Sequence, residues 1–221
     1  MKLLFNALSK YIIGVLFVGT LLFLPAGSFN YYNGWLFICL LFAPMFIIGV
    51  VLFIKSPKLL EKRLNAKEKE NTQKNVVAFS GLLFIVGFIV AGLDYRFEWS
   101  ELPLWAVIIS SVILLVSYAL YIEVMRENEY LSRTIEVQEG QKVVDTGLYG
   151  IIRHPMYSIT ILLFLSIPVV LGSWWSFICF LPYPVIIIIR IQNEEAILEA
   201  DLNGYSEYKK RVKYKIFPLI W

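Results

Sequence analysis

The sequence predicts an all-α integral membrane protein with about six transmembrane helices. Of its 221 residues, 58% are apolar and only 17% are charged, a composition far from that of soluble domains. Long blocks without Asp, Glu, Lys or Arg alternate with short polar segments. The blocks are long enough to cross a bilayer, since a helix rises about 1.5 Å per residue. We find no internal repeat, so we expect residues 1–221 to form a single membrane domain.

The first charge-free block, residues 11–54, is long enough for two spans. Pro, Gly, Asn and Ser gather at residues 25–34, and this composition predicts a turn between the two helices. Residues 55–74 are polar and rich in Lys, which is typical of an amphipathic helix lying along the lipid headgroups.

Two further spans are predicted at residues 75–93 and 102–122. Between them lies the short acidic and aromatic link 94–101. Residues 1–122 therefore contain four spans with a basic loop at 55–74, and residues 123–221 form the remaining part.

The next apolar block, residues 154–189, lies between Arg153 and Arg190 and carries no Asp, Glu, Lys or Arg. It is long enough for two helices, and Pro168 and Gly172 near its middle predict a turn. The resulting helical hairpin would return both of its ends to the same membrane face. Arg153 and Arg190, with their polar neighbours, should therefore face each other.

The distribution of basic residues predicts which loops are cytoplasmic. Of the 20 Lys and Arg residues, all except Arg96 fall near the N-terminus or in 55–74, 123–153 and 190–221. The positive-inside rule then places both termini and these loops in the cytoplasm. We expect a multi-pass protein of the plasma membrane, with membrane lipids as partners.

Charge and cysteine usage exclude several classes of function. The formal net charge is +3, with basic residues interspersed among acids, which argues against nucleic-acid binding. Cys39 and Cys179 stand alone inside apolar blocks, so neither a metal site nor a disulfide is predicted.

The first candidate site is the run Arg153-His154-Pro155. A structural role explains part of it, because Pro suits the first turn of a helix and Arg suits a membrane boundary. It does not explain His154, the one histidine of the chain, or the tyrosines Tyr149 and Tyr157 on either side.

The second candidate site is Arg190 with Glu194 and Glu195. Arg190 and Glu194 share a helix face at i, i+4, and a snorkelling arginine on a helix that continues out of the bilayer would also explain them. Paired carboxylates beside an arginine can instead bind the ammonium and ribose hydroxyls of a cofactor, while the guanidinium binds a carboxylate.

Taken in order, these residues resemble the isoprenylcysteine carboxyl methyltransferase and phospholipid methyltransferase family of membrane enzymes. The resemblance runs from about Met125 to the C-terminus and ends with Tyr205-x-x-Tyr208 and a basic stretch. It implies S-adenosylmethionine bound from the cytosolic side and a lipid or prenylated acceptor entering from the bilayer. It implies that Arg190 and Glu194 are catalytic. The implied cofactor-binding residues are Gly147, Tyr149, Arg153, His154, Pro155, Tyr157, Glu194, Glu195 and Tyr205.

Several alternatives stay open at this point. The leading acceptor is the carboxylate of an isoprenylcysteine-like lipid, and a phospholipid amine is the second. A nicotinamide-dependent membrane sterol reductase is a third reading, because that related fold carries Arg-His-Pro-x-Tyr, commonly with Asn at x. Here that position is Met156, which favours the methyltransferases. The fourth is a non-catalytic scaffold or transporter subunit, although the spans lack the charges that a translocation path usually needs.

Overall fold

The protein is a bundle of α-helices, seen in a computed structural model that describes residues 2–64, 71–131 and 137–221. Within these ranges there is no β-strand, only an isolated bridge between Ile152 and Tyr214. In chain order the helices are α1 Lys2–Ala26, α2 Tyr32–Lys55, α3 Pro57–Leu64, α4 Asn71–Phe97, α5 Leu104–Glu127, α6 Pro155–Val170, α7 Trp174–Phe180, α8 Tyr183–Asp201 and α9 Tyr205–Arg211.

Among the described residues, five segments are long and apolar enough to cross a membrane. Four of them are α1, α2, α4 and α5, and the fifth is Trp174–Asp201, which combines α7 and α8. Helix α6 is also apolar but has only 16 residues. The prediction of an all-helical, multi-pass membrane protein is therefore confirmed, with five long spans and one shorter apolar helix.

The helices extend beyond the charge-free blocks that predicted them. Helix α1 begins at Lys2 rather than Tyr11, and α4 continues to Phe97. Hydropathy marks the part of a helix that lipid surrounds, whereas backbone hydrogen bonding continues into the polar ends. Between α1 and α2 the predicted turn is present, and Gly27 adopts a φ of +63° there.

The basic segment predicted as one amphipathic helix over 55–74 is divided in the structure. Helix α3, Pro57–Leu64, follows α2 directly, and α4 already begins at Asn71. Residues 65–70 of the predicted helix lie outside the described residues.

The C-terminal hairpin turns where Pro168 and Gly172 predicted it. Helix α6 ends at Val170, and Gly172 adopts a φ of +76°, a conformation that favours glycine. The returning arm is broken into α7 and α8 near Pro182. Pro182 and Pro184 lack the N–H groups that would continue the ladder of α7.

A buried aspartate fastens the turn of the hairpin to the rest of the bundle. Asp94, which is 1% exposed, accepts hydrogen bonds from the backbone N–H and hydroxyl of Ser100 at 2.9 and 2.5 Å. It also accepts one from the hydroxyl of Ser173, which in turn caps α7 by accepting from Ser176 N at 2.9 Å. This cluster fixes the turn between α6 and α7 to the end of α4, and the candidate site lies at the other end of the hairpin.

Candidate active site

The polar residues at the two ends of the hairpin meet around Glu195. Its Oε1 accepts a hydrogen bond from Arg153 Nε at 2.7 Å and lies 3.2 Å from His154 Nε2. Its Oε2 forms an ion pair with Lys215 at 3.1 Å. Glu195 is 4% exposed, and Arg153 and His154 are equally buried. The prediction that the two motifs face each other is confirmed.

Arg153 also holds the C-terminal tail against the start of α6. Its Nη1 donates to two carbonyls at 2.7 and 2.8 Å, and its backbone N–H donates to a third at 2.9 Å, all within residues 212–214. The backbone N–H of His154 donates to the carbonyl of Lys215 at 2.8 Å. The backbone of Arg153 and His154 is thus hydrogen-bonded to the backbone of the tail. The Arg153 guanidinium adds two more hydrogen bonds to the tail, and Glu195 neutralises its charge.

A second network, centred on Tyr157, faces a cavity. The Tyr157 hydroxyl donates to Glu194 Oε2 at 2.5 Å and accepts from Arg190 Nε at 2.9 Å. Arg190 is 9% exposed. One phenol therefore connects a guanidinium and a carboxylate that lie one turn apart on α8, and it fixes the position of both.

The cavity has a volume of about 100 Å³ and is lined by the segment that follows α5, the start of α6, α8 and α9. Seven of the residues predicted for the site line it: Tyr149, Arg153, His154, Tyr157, Arg190, Glu194 and Tyr205. Three others do not line it, namely Gly147, Pro155 and Glu195.

Gly147 and Pro155 shape the backbone instead. Gly147 has a φ of +50°, and a Cβ at this position would overlap the carboxylate of Glu127. That carboxylate accepts a hydrogen bond from Leu148 N at 3.1 Å. Pro155 is the first residue of α6, a position whose N–H makes no hydrogen bond within the helix, so proline costs nothing there. Both residues therefore position neighbours that line the cavity.

Three tyrosines, Tyr149, Tyr205 and Tyr208, also line the cavity. Asn128 Nδ2 donates to the Tyr149 hydroxyl at 3.0 Å, and the Tyr208 hydroxyl donates to the Tyr149 carbonyl at 2.7 Å. Within the described part of the chain, the hydroxyl of Tyr205 is buried and has no hydrogen-bond partner. Burial raises the pKa of all three phenols above the ordinary value, so they are neutral at physiological pH.

Sequence reasoning missed the lining residues that carry no motif. The sequence that follows α5 shows no clear periodicity of hydrophobic residues. Its side chains reach the cavity through tertiary packing, which such a pattern would not have predicted. The missed lining residues are Asn128, Tyr130, Leu131, Gln141, Lys142, Val143, Val144, Met156 and Leu202. Leu198 and Tyr208 belong to the pattern that carries the resemblance and also line the cavity, but they were not predicted as site residues. The ion pair of Lys215 with Glu195 was missed as well, because the backbone pairing that brings the tail there leaves no side-chain signature.

Comparison with known families assigns this region. Residues 104–202, from the start of α5 to the end of α8, match the model of the phospholipid methyltransferase family. The match contains both motifs and begins before Met125, where the resemblance in sequence was first seen. No curated protein matches the chain significantly. Residues 104–202 thus match a phospholipid methyltransferase domain, which belongs to the isoprenylcysteine and phospholipid methyltransferase group, and this match supports a membrane methyltransferase that acts on lipid-like substrates.

Proposed function

We propose that the protein transfers a methyl group from S-adenosylmethionine to the carboxylate of an isoprenylcysteine-like lipid. The observation that carries the proposal is the Arg190–Tyr157–Glu194 network on the wall of the cavity. It presents a guanidinium and a carboxylate side by side, held by one buried phenol. A guanidinium suits an acceptor carboxylate, and a carboxylate suits the ammonium or ribose hydroxyls of the cofactor.

The residues around the cavity fit this cofactor. Tyr205 has a buried hydroxyl without a protein partner in the described ranges, and a buried polar group of this kind is usually satisfied by a ligand or water. Glu194 offers carboxylate oxygens, and Lys142 is a lining cation that suits the carboxylate of the methionine part. Tyr149 and Tyr205 supply aromatic surface for a purine.

The size of the cavity sets a condition on binding. Its volume of about 100 Å³ is below the roughly 300–1,000 Å³ usual for small-molecule sites. A whole cofactor therefore requires lining side chains to move outward. Lys142 is exposed and Tyr130 is half-buried, so these two can move with the least loss of packing.

The roles of the residues follow from the chemistry of the transfer. When bound, the cofactor would supply an electrophilic methyl group on a sulfonium, which an acceptor oxygen would take up while the thioether leaves. A carboxylate needs no deprotonation for this attack, so no general base is required. Arg190 would hold the acceptor, Glu194 and Tyr205 would hold the cofactor, and the buried surroundings would exclude water. Arg153 and His154 would line the same cavity, and Glu195, which does not line it, would hold them in position.

A phospholipid amine is the second candidate, and Glu194 is the observation that favours it. A carboxylate on the cavity wall can attract an ammonium and accept its proton before the attack. The matched family model is that of phospholipid methyltransferases. In this case Arg190 would orient Glu194 through Tyr157 and would not touch the acceptor.

The chemical stability of the product distinguishes the two acceptors. Membranes containing the protein are incubated with S-adenosylmethionine carrying a labelled methyl group, and extracted lipids are treated with alkali. A methyl ester releases labelled methanol, whereas an N-methyl group stays on the amine headgroup and is not volatile. We expect volatile label. Alkali-stable label would replace the carboxylate by the amine, and no label in any lipid would contradict methyl transfer.

We also propose that the cavity faces the cytosol, because the basic residues predict this orientation. Single cysteines at Glu101 and Ser206 would be labelled with a membrane-impermeant maleimide in a background without Cys39 and Cys179. Both positions are exposed and lie outside the helical spans. In spheroplasts Glu101→Cys should react and Ser206→Cys should not. Reaction of both from the same side would contradict the orientation.

A further inference from the structure

A second, larger cavity lies outside the candidate active site, between α1, α2, α3 and α5. Its volume is about 780 Å³, within the range of ligand sites. Most of its lining residues precede residue 104, so the family domain does not account for it. We propose that this cavity binds the acyl chains of an anionic phospholipid whose phosphate lies between Lys10 and Arg63.

The walls of the cavity are those of a hydrocarbon site. Apart from two cations and three tyrosines, the side chains that line the cavity within residues 2–64 and 71–131 are apolar or glycine, and no acid is among these described residues. Two of the tyrosine hydroxyls already donate within the protein, Tyr11 to the Phe42 carbonyl at 3.2 Å and Tyr118 to the Leu41 carbonyl at 3.0 Å. Water therefore finds few partners there, and an unfilled apolar space of this size forfeits dispersion contacts.

The cavity is open to the surrounding lipid. Lining residues of α1 and α2, such as Leu8, Phe46 and Ile54, are between 41% and 72% exposed in the isolated protein. Because these side chains stand in the membrane, the space beside them is filled by lipid. An acyl chain can enter sideways without unfolding any helix.

Positive charge at one rim selects the headgroup. Lys10 of α1 and Arg63 of α3 both line the cavity, and Lys10 Nζ donates to the carbonyl of Leu64 at 2.6 Å. Arg63 donates a hydrogen bond to the hydroxyl of Tyr121, and its Cζ lies 5.1 Å from the centroid of that ring. The two cations therefore lie at the same end of the cavity. A phosphate there would gain two charge-assisted contacts.

The lipid site is coupled by packing to the candidate active site. Met125 lines the lipid cavity, and in the adjoining apolar cluster it packs with Tyr149 and Met156, which line the smaller cavity. A filled lipid cavity would fix α5 and, through this cluster, the wall of the active site. Loss of the lipid should therefore lower protein stability as well as lipid retention.

Native mass spectrometry of the full-length protein in detergent tests the proposal directly. Dioleoylphosphatidylglycerol should be retained, and dioleoylphosphatidylcholine, with the same chains, should be retained at least fivefold less. Soluble glycerophosphoglycerol, which carries the charge without the chains, should not compete. Equal retention of the two lipids, or displacement by the soluble headgroup, would overturn the proposal.

Two variants with matched controls complete the test. Gly49 lines the cavity and has open space around its missing Cβ, so Gly49→Leu should fill the cavity and reduce retention more than tenfold. Gly81→Leu on α4, with equally open space, should change nothing. Lys10→Gln should weaken retention of the anionic lipid about fivefold, and Lys2→Gln should not. Retention unchanged by both Gly49→Leu and Lys10→Gln would overturn the proposal.

Discussion

Replacing Glu195 by glutamine removes the negative charge on which the Arg153–His154 segment and the tail converge. In the structure this carboxylate contacts Arg153 at 2.7 Å, His154 at 3.2 Å and Lys215 at 3.1 Å. The side chains of Arg153 and Glu195 are 4% and 5% exposed. Glutamine keeps the size of the side chain and one acceptor oxygen, but it leaves the guanidinium buried without a counter-charge.

Removing one partner from a buried ion pair costs about 3–5 kcal/mol, because the remaining charge stays out of water. We expect Glu195→Gln to lower the free energy of unfolding by this amount. The adjacent tail should loosen as well, because Arg153 also donates to its carbonyls. Cofactor affinity should fall only as a consequence, since Glu195 does not line the cavity.

Glu199 on the same helix supplies the matched control. It pairs with Lys209 at 2.6 Å, but these side chains are 39% and 37% exposed, and exposed pairs contribute at most about 1 kcal/mol. Chemical unfolding in detergent micelles would compare Glu195→Gln with Glu199→Gln, and limited proteolysis would monitor the tail. Equal destabilisation by the two variants would refute the reasoning. So would an unchanged unfolding free energy in Glu195→Gln.

Three further substitutions separate binding, backbone and acceptor roles. Tyr205→Phe should weaken S-adenosylhomocysteine binding about fivefold without loss of stability, whereas Tyr208→Phe should lower the free energy of unfolding by about 1 kcal/mol because its hydroxyl is hydrogen-bonded. Calorimetry measures the binding and chemical unfolding measures the stability. Weaker binding in Tyr208→Phe together with lower stability in Tyr205→Phe would contradict the site. Gly147→Ala should destabilise the protein by more than about 1 kcal/mol in chemical unfolding, because the backbone φ of +50° and the neighbouring Glu127 both disfavour a Cβ there. Gly81→Ala in α4 should not destabilise the protein. Equal effects of the two variants would contradict this reasoning. Arg190→Lys should lower turnover about tenfold, which corresponds to a rise of ~1.4 kcal/mol in the activation free energy, because lysine lacks the planar guanidinium. Cofactor affinity should change little. Unchanged turnover would favour the amine acceptor.

The helical fold and the meeting of the two motifs could be predicted because both depend on hydrophobicity and topology. A charge-free block between Arg153 and Arg190 can only lie in the membrane as helices, and a turn at Gly172 returns the chain to its starting side. The break near Pro182 was not anticipated, since a proline can kink, end or begin a helix, and packing decides which.

The division of labour between Glu194 and Glu195 could not be read from the sequence. Adjacent residues on a helix point about 100° apart, so only one of them can share the face of Arg190. Which of the two faces the cavity depends on the rotation of α8, and tertiary contacts fix that rotation. The structure turns Glu194 toward the cavity and Glu195 toward Arg153, although both were expected to hold the cofactor.

The most direct test of the central claim is isothermal titration calorimetry of the purified protein with S-adenosylhomocysteine and, separately, with a reduced nicotinamide cofactor. We expect saturable binding of S-adenosylhomocysteine and no binding of the nicotinamide. Glu194→Gln should weaken S-adenosylhomocysteine binding at least about tenfold, as expected for the loss of a charge-assisted hydrogen bond. Binding of the nicotinamide alone, or S-adenosylhomocysteine affinity unchanged in Glu194→Gln, would contradict the assignment of this cavity.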